Sequence, residues 1–101
     1  MMTDWDSELY LKFERERAQA ARDLISRIPP LAPRNIVDIG CGPGNSAAIL
    51  AHYFRGADIL GIDNSDKMIE VAWERAPQAR YLRQDFRDWT PEEPVDLIFA
   101  N

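Results

Sequence analysis

The chain is poor in the residues that staple or ligate: one cysteine and one histidine in 101 residues. A lone cysteine, Cys41, can form no internal disulfide, so the fold must rest on packing. A thiol without a partner also favours the cytoplasm. His52 and Cys41 together cannot supply the ligands of a zinc site. Basic residues are the minority, 12 Lys and Arg against 17 Asp and Glu, which argues against a nucleic-acid surface. No stretch approaches the roughly 18 apolar residues that a membrane span needs. The opening MMTDWDSELYLKF is acidic and lacks the basic start and apolar run of a secretory signal. No internal repeat or low-complexity segment occurs.

What is present is the composition of a globular domain, since 46% apolar and 29% charged residues leave enough to bury and enough to solvate. A helix is expected from about Ser7 to Ile28, with Tyr10, Phe13, Arg17, Ala20, Leu24 and Ile28 at helical spacing. Pro29 and Pro30 stop it, and IPPLAPRN connects it to NIVDI, a short apolar strand buried on both faces. After a glycine turn, Asn45 or Ser46 caps a helix running to about Tyr53. ADILGID is a second strand, Ser65 caps a third helix, DKMIEVAWERA, and Pro77 closes it. Met68, Val71, Ala72 and Arg75 would line its inner face. ARYLRQD, the loop FRDWTPEEP and the strand VDLIFAN follow. Alternating strands and helices imply parallel strands in an α/β sheet, with the glycine turn at the strand ends where such sheets bind ligands. VDLIFAN is as apolar as a central strand, and an exposed apolar edge invites pairing with other chains. The 101 residues are therefore expected to be the front of a longer domain.

The turn Gly40-Cys41-Gly42-Pro43-Gly44 sets three glycines in five positions. Glycine tolerates positive φ and lets a ligand touch the main chain, and the helix that follows offers unpaired N–H groups. A phosphate loop would require Lys-Ser/Thr after the last glycine, where Asn45-Ser46 stands. The dinucleotide pattern G-x-G-x-x-G would require glycine at Asn45. Asp38, in the strand just before the turn, is costly to bury unless it is paired. It would repel a pyrophosphate but suit a cationic ligand. Asp63 ends the second strand 23 residues after Gly40, a spacing that suits an acceptor for ribose hydroxyls or, alternatively, a helix cap. Asp85 ends the third strand, as an acceptor for an exocyclic amine or as a turn residue.

VDIGCGPGNSA, LGIDNSDKMIEVA, YLRQDFRDW and DLIFAN resemble the first four motifs of class I S-adenosylmethionine-dependent methyltransferases. DWDSELYLKFERER, with DLIFAN, resembles the members that esterify a carboxylate of a small tricarboxylic acid. The resemblance implies one Rossmann-like domain over residues 1–101, incomplete at its C-terminus, with S-adenosyl-L-methionine as cofactor and a small-molecule carboxylate as substrate. It implies that Asp38 and Gly40 face the cofactor's ammonium and that Gly42 and Gly44 permit close approach. It places Asp63 on the ribose, Asn64 or Met68 near the adenine, Asp85 on the adenine amine and Phe86 over the ring. Asn101 would border the methionine moiety and the substrate. It makes the opening segment a lid, whose Arg15 and Arg17 would meet substrate carboxylates; a solvated helix face is the plainer reading of both.

No general base is expected, because a carboxylate is already a nucleophile at neutral pH and the protein need only position it. Cys41 lacks a basic partner in the sequence and is read as structural. His52 suits a helix end. Trp73 is read as helix packing, and Trp89 either covers a purine or caps the core. The competing readings are a methyltransferase acting on another O- or N-acceptor, a cofactor-binding module without activity, and, more remotely, an NAD dehydrogenase.

Overall fold

The computed structural model describes residues 4–29 and 32–100. Pro30 and Asn101 lie outside the described residues, as do the side chains of Trp5 and Tyr10. The elements run α1 (Asp4–Ser26), β1 (Asn35–Ile39), α2 (Asn45–Tyr53), β2 (Asp58–Asp63), α3 (Asp66–Arg75), β3 (Arg80–Arg83), a 3-10 turn (Phe86–Asp88) and β4 (Leu97–Ala100). The strands form one parallel sheet in the order β3-β2-β1-β4. Ile36 pairs with Ile59, Asp38 with Phe99 and Gly61 with Tyr81, so these residues share one face of the sheet.

That face carries the core. Ile36, Ile59, Tyr81 and Phe99 pack with Ala21 and Ile25 of α1, Ala47 and Leu50 of α2, and Ala72 of α3. Alanines at the helix contacts let the backbones come close to the sheet, while Ile36, Leu50 and Ile59 fill the space between them. Each of these large side chains contributes roughly 1.5–3 kcal/mol by leaving water. Tyr81 adds a polar tie, its hydroxyl donating to the Ala76 carbonyl at 2.7 Å. On the opposite face Val37 is buried, but Ile98 of the β4 edge is 59% exposed. A groove of about 810 Å³ runs there between Val37, Leu60 and the segment from Asp88 to Val95.

The helix face of α1 differs from the expected stripe. Phe13 and Leu24 are exposed, whereas Ala21 and Ile25 are buried and Ala18 and Ile28 half-buried. Both series repeat at three and four residues, so spacing does not choose between them. The small Ala21 and the β-branched Ile25 fit the surface of α2, and the larger Phe13 and Leu24 turn away. The expected cap of α2 also shifts by one residue. Gly44 is the N-cap, at φ 96°, and no side chain caps that end. Ser65 does cap α3, its hydroxyl accepting from the Met68 amide at 3.2 Å. Of the four residues expected on the inner face of α3, Ala72 is buried, Met68 and Val71 are half-buried, and Arg75 is exposed.

Candidate cofactor-binding site

Three strand ends meet at the carboxyl edge of the sheet. The amides of Gly40 and Cys41 both donate to the Ile62 carbonyl, at 2.8 and 3.0 Å, which folds the turn after β1 across the end of β2. The Gln84 amide donates to the Asp63 carbonyl at 2.9 Å and brings the end of β3 alongside. Between these ends lies a cleft of about 380 Å³. Gly40, Asp63, Asn64, Asp85 and Phe86 line it, so five of the expected residues converge there. Asp38, Gly42, Gly44 and Met68 do not line it.

Gly40, Gly42 and Gly44 all adopt positive φ, at 68°, 57° and 96°, a conformation that L side chains rarely tolerate. Their surroundings differ. A Cβ on Gly40 would meet nothing within 4 Å, which leaves its backbone open to a ligand. A Cβ on Gly42 would approach only Arg17 Nη2, at 3.9 Å. A Cβ on Gly44 would press on Ala72, Ala76 and Tyr81 at 3.2–3.3 Å, so helix packing alone accounts for that glycine.

Asp63 braces the turn. Its Oδ2 accepts from the Gly42 amide and its Oδ1 from the Ser65 amide, both at 3.0 Å. Each carboxylate oxygen still has a lone pair free to accept. Asp85 works differently: its Oδ1 accepts from the Arg87 amide, and its carboxylate grips the Arg87 guanidinium at 2.6–3.1 Å. These contacts hold its carboxyl low, at about 2. Asp85 thus caps the 3-10 turn while its neighbour Phe86 stands 54% exposed in the cleft.

Asp38 is 1% exposed, on the helix-facing side of β1, two residues before Gly40. Its Oδ2 accepts a 2.6 Å hydrogen bond from Ser46 Oγ, while Oδ1 is buried without a hydrogen-bond partner among the described residues. Burial raises its carboxyl from the ordinary 3.8 to about 6, the Ser46 bond opposes that rise, and the Asp63 charge adds to it. Cys41 is buried close by, its thiol pushed up to about 12 by burial and by the charges of Asp38 and Asp63. A thiol held so firmly protonated offers little thiolate at neutral pH. No group of three or more metal-ligating side chains occurs among the described residues. No described helix is long and apolar enough to cross a membrane.

Sequence reasoning missed Ser46 as the partner of Asp38. A hydroxyl at the second position of the helix after the turn is a faint signal for that pairing. Gly61 was not singled out either. A Cβ there would stand 2.7 Å from the Tyr81 ring and 2.9 Å from Cys41 Sγ, a contact made between separate strands and a loop. Trp89 is half-buried in the groove on the far face of the sheet and does not line the cleft. Trp73 is 46% exposed, with its ring set edge-on to Tyr81.

The methyltransferase-domain family matches residues 36–101. Among curated proteins, the trans-aconitate 2-methyltransferase of Afipia carboxidovorans is 49% identical over 99% of this chain, and that of Azoarcus sp. is 47% identical over the same share. The chain spans 39% and 40% of the length of those two relatives. A solved TehB-like SAM-dependent methyltransferase from Corynebacterium glutamicum superposes with a TM-score of 0.68 at 29% identity, covering 98% of this chain and 56% of its own. Magnesium protoporphyrin IX methyltransferase from Synechocystis shares the fold, with a TM-score of 0.70 at 20% identity over 99% of this chain and 47% of its own. With these motifs, this sheet order and these relatives, the chain belongs to the methyltransferase-domain family, of the class I S-adenosylmethionine-dependent type.

Proposed function

We propose that this chain is the cofactor-binding portion of an enzyme that transfers a methyl group from S-adenosylmethionine to a carboxylate of a small organic acid, trans-aconitate, giving a methyl ester. The observation that carries the cofactor side is Asp38: one of its carboxylate oxygens, Oδ1, is buried without a hydrogen-bond partner among the described residues, behind a turn whose backbone at Gly40 is open. An acceptor of this kind suits an ammonium group and opposes a phosphate. Asp38 and Gly40 then receive the ammonium end, and Gly42 and Gly44 shape the turn that admits it. Asp63, with acceptor capacity to spare, takes the ribose hydroxyls. Phe86 shields the adenine ring with Asn64 or Met68 near it, and Asp85 takes its exocyclic amine. Asn101 borders the methionine moiety and the substrate.

The bound cofactor supplies an electrophilic methyl on a sulfonium. A substrate carboxylate held in line with that methyl would accept it without first losing a proton, and the thioether would be the leaving group. No proton moves, so the protein's part is to align the two groups and to exclude water. The acceptor assignment rests on the relatives named for trans-aconitate, which are 42–49% identical to nearly the whole chain. The test is incubation of the full-length protein with labelled S-adenosylmethionine and trans-aconitate. A labelled methyl ester is the expected product. Methylation of an amine or a phenol with no ester would assign the other acceptor class.

A further inference from the structure

Resting on the cofactor reading above, we infer that the Arg87 side chain selects the base. Its guanidinium donates to adenine N1 while Asp85 accepts from the amine. The edge of adenine sets a donor, the exocyclic amine, beside an acceptor, N1, and a site that reads that edge must answer both. A carboxylate can answer only the first, because an ionised carboxylate accepts and never donates.

The donor stands next to it in the cleft. Asp85, Phe86 and Arg87 all line that cavity, so acceptor, aromatic ring and donor follow one another at the start of the 3-10 turn. The Arg87 amide donates to Asp85 Oδ1 at 3.0 Å and brings the two side chains together. Nε shares one N–H between Oδ1 and Oδ2, at 3.0 and 3.1 Å, and Nη2 donates to Oδ2 at 2.6 Å. Three N–H groups thus meet about four acceptor sites, which leaves the carboxylate room for an amine. The guanidinium also keeps donors in reserve, since Nη1 donates to no group among the described residues. The Arg87 side chain is 76% exposed against 29% for Asp85, so those N–H groups are open to a ligand. Of the other polar side chains there, Asp63 can only accept, and Gln84 already donates to the Asp88 carbonyl at 3.1 Å. Asn64 follows Asp63 at the end of β2, beside the ribose acid. The pair also rejects a wrong base. A 6-oxo purine has an acceptor in place of the amine and a donor at N1, so it opposes both groups.

Calorimetry on the full-length protein tests this atom by atom. The probes are S-adenosylhomocysteine and its 1-deaza analogue, which keeps the amine and has a C–H in place of N1. Arg87→Met should weaken S-adenosylhomocysteine about five- to tenfold, as expected for loss of a charge-assisted hydrogen bond, and leave the analogue unchanged. The parent should bind the analogue more weakly by the same factor, which closes the cycle. Arg87→Lys should restore part of the loss. Equal weakening of both probes by Arg87→Met would mean that Arg87 only supports the turn, and would overturn the inference. Tighter binding of both would show that Arg87 competes with the amine for Asp85, and unchanged binding of both that another group meets N1; either overturns it too. Failure of the parent protein to bind S-adenosylhomocysteine would refute the cofactor reading itself, an outcome distinct from these.

Discussion

Ser46 donates a 2.6 Å hydrogen bond to Asp38, tying the first turn of α2 to the strand that precedes it. The bond satisfies one oxygen of a buried carboxylate and leaves the other unmatched. The carboxyl is raised from 3.8 to about 6, so between those values the folded state keeps a proton that the unfolded chain has released. Stability should therefore fall as pH rises from about 4 to about 6, and level off above that range. Asp38→Asn should abolish this dependence and be more stable than the parent at pH 8, by up to about 2–3 kcal/mol. It should also lose the cofactor. Urea melts across pH, paired with calorimetry, check both halves; a variant that binds normally would remove Asp38 from the site.

Cofactor binding should release a proton near pH 6. The free protein holds Asp38 partly protonated there, and an ammonium beside it favours the ionised form. Affinity should rise with pH through this range and then flatten. Binding heats measured in two buffers of different ionisation enthalpy give the proton count. A count of zero at pH 6 means that the ammonium does not rely on Asp38.

Ser46→Ala leaves both Asp38 oxygens without a partner among the described residues. The cost expected at pH 8 is about 1–3 kcal/mol, because a buried acceptor loses its donor. The carboxyl should titrate still higher than in the parent, moving the onset of cofactor binding to higher pH. A binding profile that does not move would show that the Ser46 bond leaves Asp38 unaffected.

Gly61→Ala and Gly40→Ala should fail in opposite ways. At Gly61 the new methyl meets the Tyr81 ring at 2.7 Å and Cys41 Sγ at 2.9 Å, so stability should drop by about 1–3 kcal/mol from overpacking. At Gly40 nothing lies within 4 Å, so only the left-handed backbone is strained, by about 1–2 kcal/mol. Cofactor affinity should collapse at Gly40 and survive at Gly61 once the protein is folded. Thermal melts and calorimetry on both variants make the comparison.

Asp63 should prove a double agent. Asp63→Ala removes acceptors from the Gly42 and Ser65 amides together, so it should lower both stability and cofactor affinity. Asp63→Asn keeps one acceptor oxygen and should recover part of the stability while binding stays weak. Equal loss of both properties in the two variants would show that the turn, rather than the ribose contact, is all that Asp63 serves.

Much of the scaffold was legible locally. NIVDI, ADILGID and the alternation of strands with helices determine a parallel α/β sheet, because each segment carries its own period and its own stop signal. Ser65 was legible as a cap because a capping hydroxyl reaches only three residues along its own chain. The glycine turn and its position at a strand end follow from composition and order alone.

Tertiary structure decided which of several equivalent local choices was used. Two stripes on α1 share one period, and only the surface of α2 selects Ala21 and Ile25. Ser46 could cap its own helix, but a buried carboxylate two residues before the turn takes its hydroxyl instead. Asp85 and Arg87 stand two residues apart, and the 3-10 turn between them brings the guanidinium onto the carboxylate. The approach of Arg17 to Gly42, and of Tyr81 to Gly61, joins segments that no local pattern connects. Periodicity reports which residues can share a face. It does not report what that face will meet, because the partner surface exists only after the chain has closed on itself.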